Sequence, residues 1–235
     1  DLVLIDRARF DQSLADGARA AGAEIHTGVR VRAGQVEESG VTAIVDGSPG
    51  WTARACVLAC GASYRFNRAL GLGAPQTYAQ SAQLEVPFAG PEQIEVHLAR
   101  DTAPGGFAWV VPFTRGDRRF NRVGLMCDSA AGAHFTSFAD TIKRRFGLVG
   151  EWPAPRLKVL PLSPVARTYS SRVVAVGDAA GLVKPTTGGG IYYGLVSGAL
   201  AAQTLDTALR DDDLSDARLQ TYETCWRRRL GAEIR

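Results

Sequence analysis

The residue types best suited to chemistry gather between positions 177 and 191. Val173-Val174-Ala175-Val176 is an unbroken apolar run that ends in Gly177-Asp178-Ala179-Ala180-Gly181. Such a run is expected of a buried parallel strand, and ligands of open α/β sheets bind at the carboxyl edge of the strands. Gly177 permits close backbone approach and an unusual φ. An ionised Asp178 is an acceptor only, so it suits a sugar or ribityl hydroxyl and would repel a pyrophosphate. Ala179 and Ala180 are small enough to let a ligand lie against the turn. Taken alone, Gly-Asp-Ala-Ala would serve equally as a strand-to-helix turn with the aspartate as a simple cap.

Pro185-Thr186-Thr187-Gly188-Gly189-Gly190-Ile191 shifts that balance. Three glycines at a helix start weaken its first turn, where stability alone would favour Ser, Asp or Asn. What they provide is exposed backbone N–H groups at the positive end of a helix dipole, a place that stabilises negative charge. A reduced flavin develops negative charge over N1 and C2=O. A helix starting near Gly189 would bind that edge and raise the flavin's reduction potential.

These two segments resemble the C-terminal flavin motif of the p-hydroxybenzoate hydroxylase superfamily, and most closely its geranylgeranyl reductase branch. Other segments agree. Asp6-Arg7-Ala8-Arg9-Phe10-Asp11, with Leu14 and Ala21-Gly22-Ala23, resembles the family's helix after its first long strand. Val57-Leu58-Ala59-Cys60-Gly61-Ala62-Ser63 resembles its mid-chain strand and glycine turn. Pro104-Gly105-Gly106-Phe107-Ala108-Trp109-Val110-Val111-Pro112 resembles the PxxYxWxFP segment of the reductases, with Phe107 in place of Tyr and Val111 in place of the second aromatic. The resemblance implies FAD as cofactor. Asp178, with Gly177 and Ala179, would contact the ribityl chain. Pro185, Gly188, Gly189, Gly190 and Ile191 would line the isoalloxazine. Cys60 and Gly61 would lie near the phosphates or ribose, Arg7 near the ribityl and phosphate, and the backbone of Val31 or a neighbour would meet the adenine. Phe107, Trp109 and Pro112 would line a substrate cavity above the flavin. The aromatic pair would serve equally as the core of a β-rich domain. The family's opening GxGxxG is not found in this chain: Gly71-Leu72-Gly73-Ala74-Pro75 places Pro where a helix should begin. Together with a first residue that is not Met, this reads as a fragment or trimmed chain.

The elements that must position these residues follow from periodicity. Leu2 to Ile5 reads as a short strand, and Asp6 as the cap of a helix to about Ala21 with Phe10, Leu14, Ala18 and Ala21 on one face. Glu24 to Val31, Val36 to Asp46 and Trp51 to Ala59 read as strands, the last two antiparallel. A short helix covers Ser63 to Leu70. Strands at Ser81 to Pro87, Glu92 to Leu98, Phe107 to Pro112 and Val123 to Met126 suggest an antiparallel sheet. Then come a helix from Ser137 to Phe146, a return strand around Val159 to Leu162, a buried strand from Arg172 to Val176, and helices over Thr187 to Leu209 and Ser215 to Leu230. The fold class is α/β, a partial FAD-binding Rossmann-like domain (1–75 and 164–235) interrupted by an antiparallel-sheet α+β substrate domain (76–163).

Composition bounds the function. The chain has 235 residues, 46% hydrophobic and 22% charged, enough for a real core. Its net charge of +3 is too small to point to nucleic acid. Cys56 and Cys60, four apart on an expected strand, would lie about 13 Å apart at about 3.3 Å per residue, too far for a disulfide. Reduced thiols and a cytoplasmic setting are therefore expected, without metal, since His26, His97 and His134 lack ligand spacing. The leading functional reading is an FAD-dependent oxidoreductase that reduces carbon–carbon double bonds of an apolar isoprenoid. Its expected partners are a reduced nicotinamide or ferredoxin-type electron donor and, peripherally, a membrane. The alternatives are a flavin-dependent monooxygenase or halogenase, and a binding module without cofactor.

Overall fold

The computed structural model describes residues 5–47 and 49–234. After α1 (Arg7–Ala20) come β1 (Val31–Glu37), β2 (Gly40–Val45) and β3 (Trp51–Ala53), an antiparallel sheet in sequence order. β4 (Cys56–Leu58) leads to the short α2 (Arg65–Ala69). Then follow β5 (Tyr78–Val86), β6 (Glu95–His97), β7 (Phe107–Arg115), β8 (Arg118–Cys127), α3 (Ala131–Phe146) and β9 (Arg156–Pro161). Their strands form one antiparallel sheet in the order β6-β7-β8-β5-β9. The chain returns through β10 (Tyr169–Ser170), β11 (Val173–Ala175), a single 3₁₀ turn (Gly177–Ala180), α4 (Ile191–Arg210) and α5 (Asp216–Leu230).

β11 pairs parallel with β4, Val173 opposite Cys56, although the whole five-stranded sheet lies between them in sequence. All three residues of β11 are fully buried, as a strand covered on both faces requires. α4 and α5 pack against it. Tyr222 on α5 donates its hydroxyl to the carbonyl of Ala175 at 2.8 Å, and Trp226 donates its indole N–H to Thr168 Oγ1 at 2.8 Å. Both side chains are buried and their polar atoms paired, which removes the usual desolvation cost of sheltering them. A separate core lies on one face of the five-stranded sheet. There Ala108, Val110, Val123 and Leu125 pack beneath Phe135, Phe138 and Ile142 of α3.

Several expected elements shift. Glu24 to Arg30 is irregular, and the strand begins at Val31. The hairpin turn falls at Glu38–Ser39, because β1 and β2 together satisfy the ladder that one long strand could not. The expected strand Trp51 to Ala59 is two strands in different sheets: β3 continues the hairpin while β4 leaves it to join β11. α3 starts at Ala131, earlier than Ser137, with Gln80 Oε1 accepting from the amide of Ala131 at 3.2 Å. In α1 the apolar stripe is present but not buried: Leu14 is 49% exposed. The strand expected at Leu2 to Ile5 lies, apart from Ile5, outside the described residues.

Candidate functional site

The turn that follows β11 is anchored from three directions. Gly177, at φ +54°, donates its amide to Ser197 Oγ of α4 at 3.0 Å. Tyr64 donates its hydroxyl to the carbonyl of Asp178 at 2.7 Å, and Asn67 donates Nδ2 to the carbonyl of Ala179 at 2.7 Å. Burial pushes the phenol of Tyr64 far above its ordinary value, so the hydroxyl stays protonated and remains a donor. With its backbone held, the turn leaves one group unused. The half-buried Asp178 side chain accepts no hydrogen bond among the described residues, and burial raises its pKa against the opposing charges of Lys158 and Arg7. A partly desolvated carboxylate without a donor is costly unless something supplies one.

The second segment meets it there. Residues 184–189 form a tight turn, Lys184 N donating to the carbonyl of Gly189 at 3.1 Å and Gly188 N to that of Lys184 at 2.9 Å. The glycines therefore precede the helix rather than begin it: α4 starts at Ile191, not near Thr187, because the turn closes on itself first. Gly190 is the N-cap residue, and no side chain caps the helix start. A Cβ on Gly190 would stand 2.7 Å from Asp178 Oδ1. The carboxylate thus sits directly against an uncapped, positively polarised helix start.

Gly188 joins this pair to the five-stranded sheet. Its φ is +65°, and a Cβ there would stand 3.0 Å from Met126 Sδ and 3.0 Å from Leu160 Cδ1. Across the sheet, Phe107 pairs with Met126, Met126 with Ser81 and Ser81 with Lys158. Directly opposed residues share a face, so this row runs beneath the glycine turn on the face away from α3. Phe107 and Trp109 lie on it with ring centroids 5.6 Å apart. The indole covers Gly124, where a Cβ would stand 2.6 Å from Cζ2.

The expected residues distribute as follows. Gly177, Asp178, Ala179, Gly188 and Gly190 converge, with Gly189 and Pro185 in the same turn. Ile191 opens α4 and is 37% exposed. Cys60 and Gly61 lie on the loop before α2, Cys60 Sγ donating to the carbonyl of Ser63 at 3.3 Å and Gly61 at φ +66°. Val31 opens β1, and its carbonyl and that of Arg32 accept from Arg65 of α2 at 3.3 and 2.9 Å. α2 thereby touches the Val31 strand and the Asp178 turn and directly follows the Cys60 loop. Arg7 pairs with Asp11 at 3.2 Å at the start of α1. Pro112 does not join Phe107 and Trp109. An even position on β7 faces α3, with Ala108 and Val110, and Pro112 pairs with Asn121 there. Sequence reading missed Tyr64, Asn67, Met126 and Lys158. The first two lie three apart, Tyr64 as the N-cap residue and Asn67 within the short helix, and the last is the alternation of β9. A cavity of 480 Å³ beside α2 and β10 has Asp216 as its one titratable lining residue, and Arg167 already pairs with it at 2.5 Å. Among the described residues no cluster of metal ligands is present and no helix is long and apolar enough to cross a membrane. All four cysteines are free.

No family model matches the chain. Over 237 residues, covering 95% of the chain, it is 31% identical to digeranylgeranylglycerophospholipid reductase 1 of Methanopyrus kandleri. It is 30% identical to digeranylgeranylglycerophospholipid reductase of Methanocella arvoryzae over 98% of its length. It spans 63% and 61% of those two relatives. Among solved structures it superposes on a geranylgeranyl bacteriochlorophyll reductase-like protein of Thermoplasma acidophilum with a TM-score of 0.82 at 24% identity. That match covers 96% of this chain and 60% of the other. The flavin-dependent halogenase CmlS matches with a TM-score of 0.68 at 22% identity, covering 96% of this chain and 44% of CmlS. The fold is therefore the mixed α/β architecture that these two structures share.

Proposed function

We propose that this chain is a member of the geranylgeranyl reductase-like branch of the FAD-dependent oxidoreductases, and that it forms the flavin-edge and substrate-facing part of an enzyme that reduces carbon–carbon double bonds in an isoprenoid chain. The observation that carries this reading is the half-buried Asp178 carboxylate, without a donor among the described residues, set against the uncapped start of α4. The residues present fit an FAD. A ribityl hydroxyl donating to Asp178 would satisfy the carboxylate. The glycines at 188–190 let the turn close against the sheet and Asp178, and the first-turn amides of α4 would face the ring's electron-rich rim.

When bound and reduced, FAD supplies a hydride to one alkene carbon while a proton reaches the other, two electrons passing from cofactor to substrate. The chain's own residues hold the geometry. The half-buried Phe107 and Trp109, beside the Met126 that the glycine turn covers, form an apolar surface able to seat a hydrocarbon chain and keep water from it. Tyr64, Asn67 and Ser197 fix the turn that carries Asp178. The electrons come from a reduced nicotinamide or a ferredoxin-type protein, and a lipid substrate entails a peripheral contact with a membrane.

The test uses the intact protein. Asp178→Ala is expected to weaken flavin binding roughly ten- to a hundredfold, the worth of a hydrogen bond to a charged group of about 1.5–3 kcal/mol, with the fold retained by circular dichroism. Unchanged flavin content would remove the ribityl role. Anaerobic hydrogenation of a polyprenyl chain is the expected activity, and a product formed only with oxygen would mark the halogenase or monooxygenase chemistry instead.

A further inference from the structure

The face that carries Phe107 and Trp109 changes character toward the β7–β8 hairpin. Val111 pairs with Arg122, Phe113 with Phe120, and Arg115 with Arg118. Phe113 and Phe120 stack with centroids 5.6 Å apart. Arg115 stands 5.5 Å from both rings, Arg122 5.6 Å from Phe113 and Arg118 5.6 Å from Phe120. One carboxylate of the sheet face meets two of these three guanidiniums. Glu85 of β5 lies 2.9 Å from Arg115 and 2.7 Å from Arg122. Arg118 makes no ion pair among the described residues, and neither does Asp117 in the hairpin turn. The cluster is thus preorganised by Glu85 and by the aromatic pair, and it keeps a surplus of positive charge.

Its position gives that surplus a meaning. Six residues of β7 separate Phe107, under the glycine turn, from Phe113, a span of about 20 Å at about 3.4 Å per residue. On that face β7 and β8 present only Phe107, Trp109 and Val111, above the buried Met126 and Gly124, before the cluster begins at Arg122. An apolar track that starts at the flavin edge and ends in a fork of guanidiniums is complementary to an amphiphile with a long hydrocarbon chain and an anionic head. Guanidinium groups match a phosphate through paired N–H donors, where an ammonium offers only a point charge.

We propose that Arg115, Arg118 and Arg122 form a phosphate-binding subsite that holds the headgroup of the isoprenoid substrate about 20 Å from the Gly188 turn, so that the sheet sets which double bond reaches the flavin. This rests on the reading of the protein as an FAD-dependent isoprenoid reductase.

The experiment titrates the intact, FAD-loaded protein in neutral detergent with a tetraprenyl phosphate and with the corresponding alcohol. Binding is followed by the perturbation of the oxidised flavin's absorption with no reductant present. The phosphate is expected to bind about tenfold or more tightly, the scale of one charge-assisted contact, and inorganic phosphate to compete with it but not with the alcohol. Arg115→Ala with Arg118→Ala should erase the difference while flavin content and alcohol binding stay unchanged, and Arg118→Lys should keep part of it. Equal affinities in the parent, a difference that survives the double variant, or an equal loss of both ligands would overturn the subsite. So would a double variant that loses only its binding to vesicles of anionic phospholipid, since the cluster would then be a membrane contact. Absence of a flavin band in the parent protein would instead remove the reading on which the subsite rests.

Discussion

Two glycine-containing turns meet at the candidate site, and they are held in opposite ways. The turn at 177–180 is buried and fastened by side chains distant in sequence: Tyr64 at the cap of α2, Asn67 within it, and Ser197 from α4. The turn at 184–190 closes through its own backbone and reaches the rest of the molecule by close contact with Met126 and Leu160. The first depends on groups placed elsewhere, the second on the glycines at 188–190 that let it close against its neighbours. Substitutions should therefore damage the two turns by different mechanisms, and that difference is measurable.

The largest effect is expected at Gly188. Valine there would force a left-handed residue, about 1–2 kcal/mol, and would press on Met126 and Leu160, where overpacking costs about 1–3 kcal/mol. Chemical denaturation of the intact protein should report a loss of about 2–5 kcal/mol by these terms, and a loss below about 1 kcal/mol would mean the turn can swing away from the sheet. Next comes Asn67→Leu, which leaves the buried carbonyl of Ala179 unpaired at a cost of about 1–3 kcal/mol. Tyr64→Phe, removing one donor from a partly wetter position, should cost about 1 kcal/mol. Both α2 variants should weaken flavin binding by titration more than an equally destabilising change in α3. If they do not, α2 supports the fold without positioning Asp178.

The carboxyl of Asp178 gives a pH test with a defined sign. Burial raises its pKa above 3.8 while Lys158 and Arg7 oppose the shift. The folded state then binds this proton more tightly than the unfolded state. The group favours folding most at pH below 3.8. That contribution is lost as pH rises through the raised value. Flavin binding runs the other way. A hydroxyl donates to the ionised form, so the cofactor should be released as pH falls through the raised pKa. Lys158→Met removes one opposing charge and should move the release midpoint, followed by flavin fluorescence, to higher pH. An unmoved midpoint takes Lys158 out of the site. The smallest effect is expected at Pro185, whose replacement by Ala should change stability by less than about 1 kcal/mol through the unfolded chain. A larger loss would show that the second turn is not self-supporting.

Much of this arrangement was legible in the sequence where local chemistry dictates it. The apolar run into Gly177-Asp178 identified β11 and its turn, and period-two spacing put Phe107 and Trp109 on one face. The same period, followed three positions further, also separates Pro112 from that pair. What stayed hidden is long-range. Tyr64 and Asn67 carry no signal of their own, because their partners are backbone carbonyls more than a hundred residues away. The helix start at Ile191 was misplaced because glycines at a cap and glycines in a preceding turn read alike in sequence.

α2 has five residues, and an isolated helix that short does not persist in water. Its lasting contacts to Asp178 and Ala179 lie on a part of the chain made after the entire five-stranded sheet. As the polypeptide leaves the ribosome, the first half of the candidate site must therefore wait unformed while the intervening sheet gathers its own core around α3. A mutation that slows that sheet would appear in the cell as poor cofactor loading, though it touches no ligand.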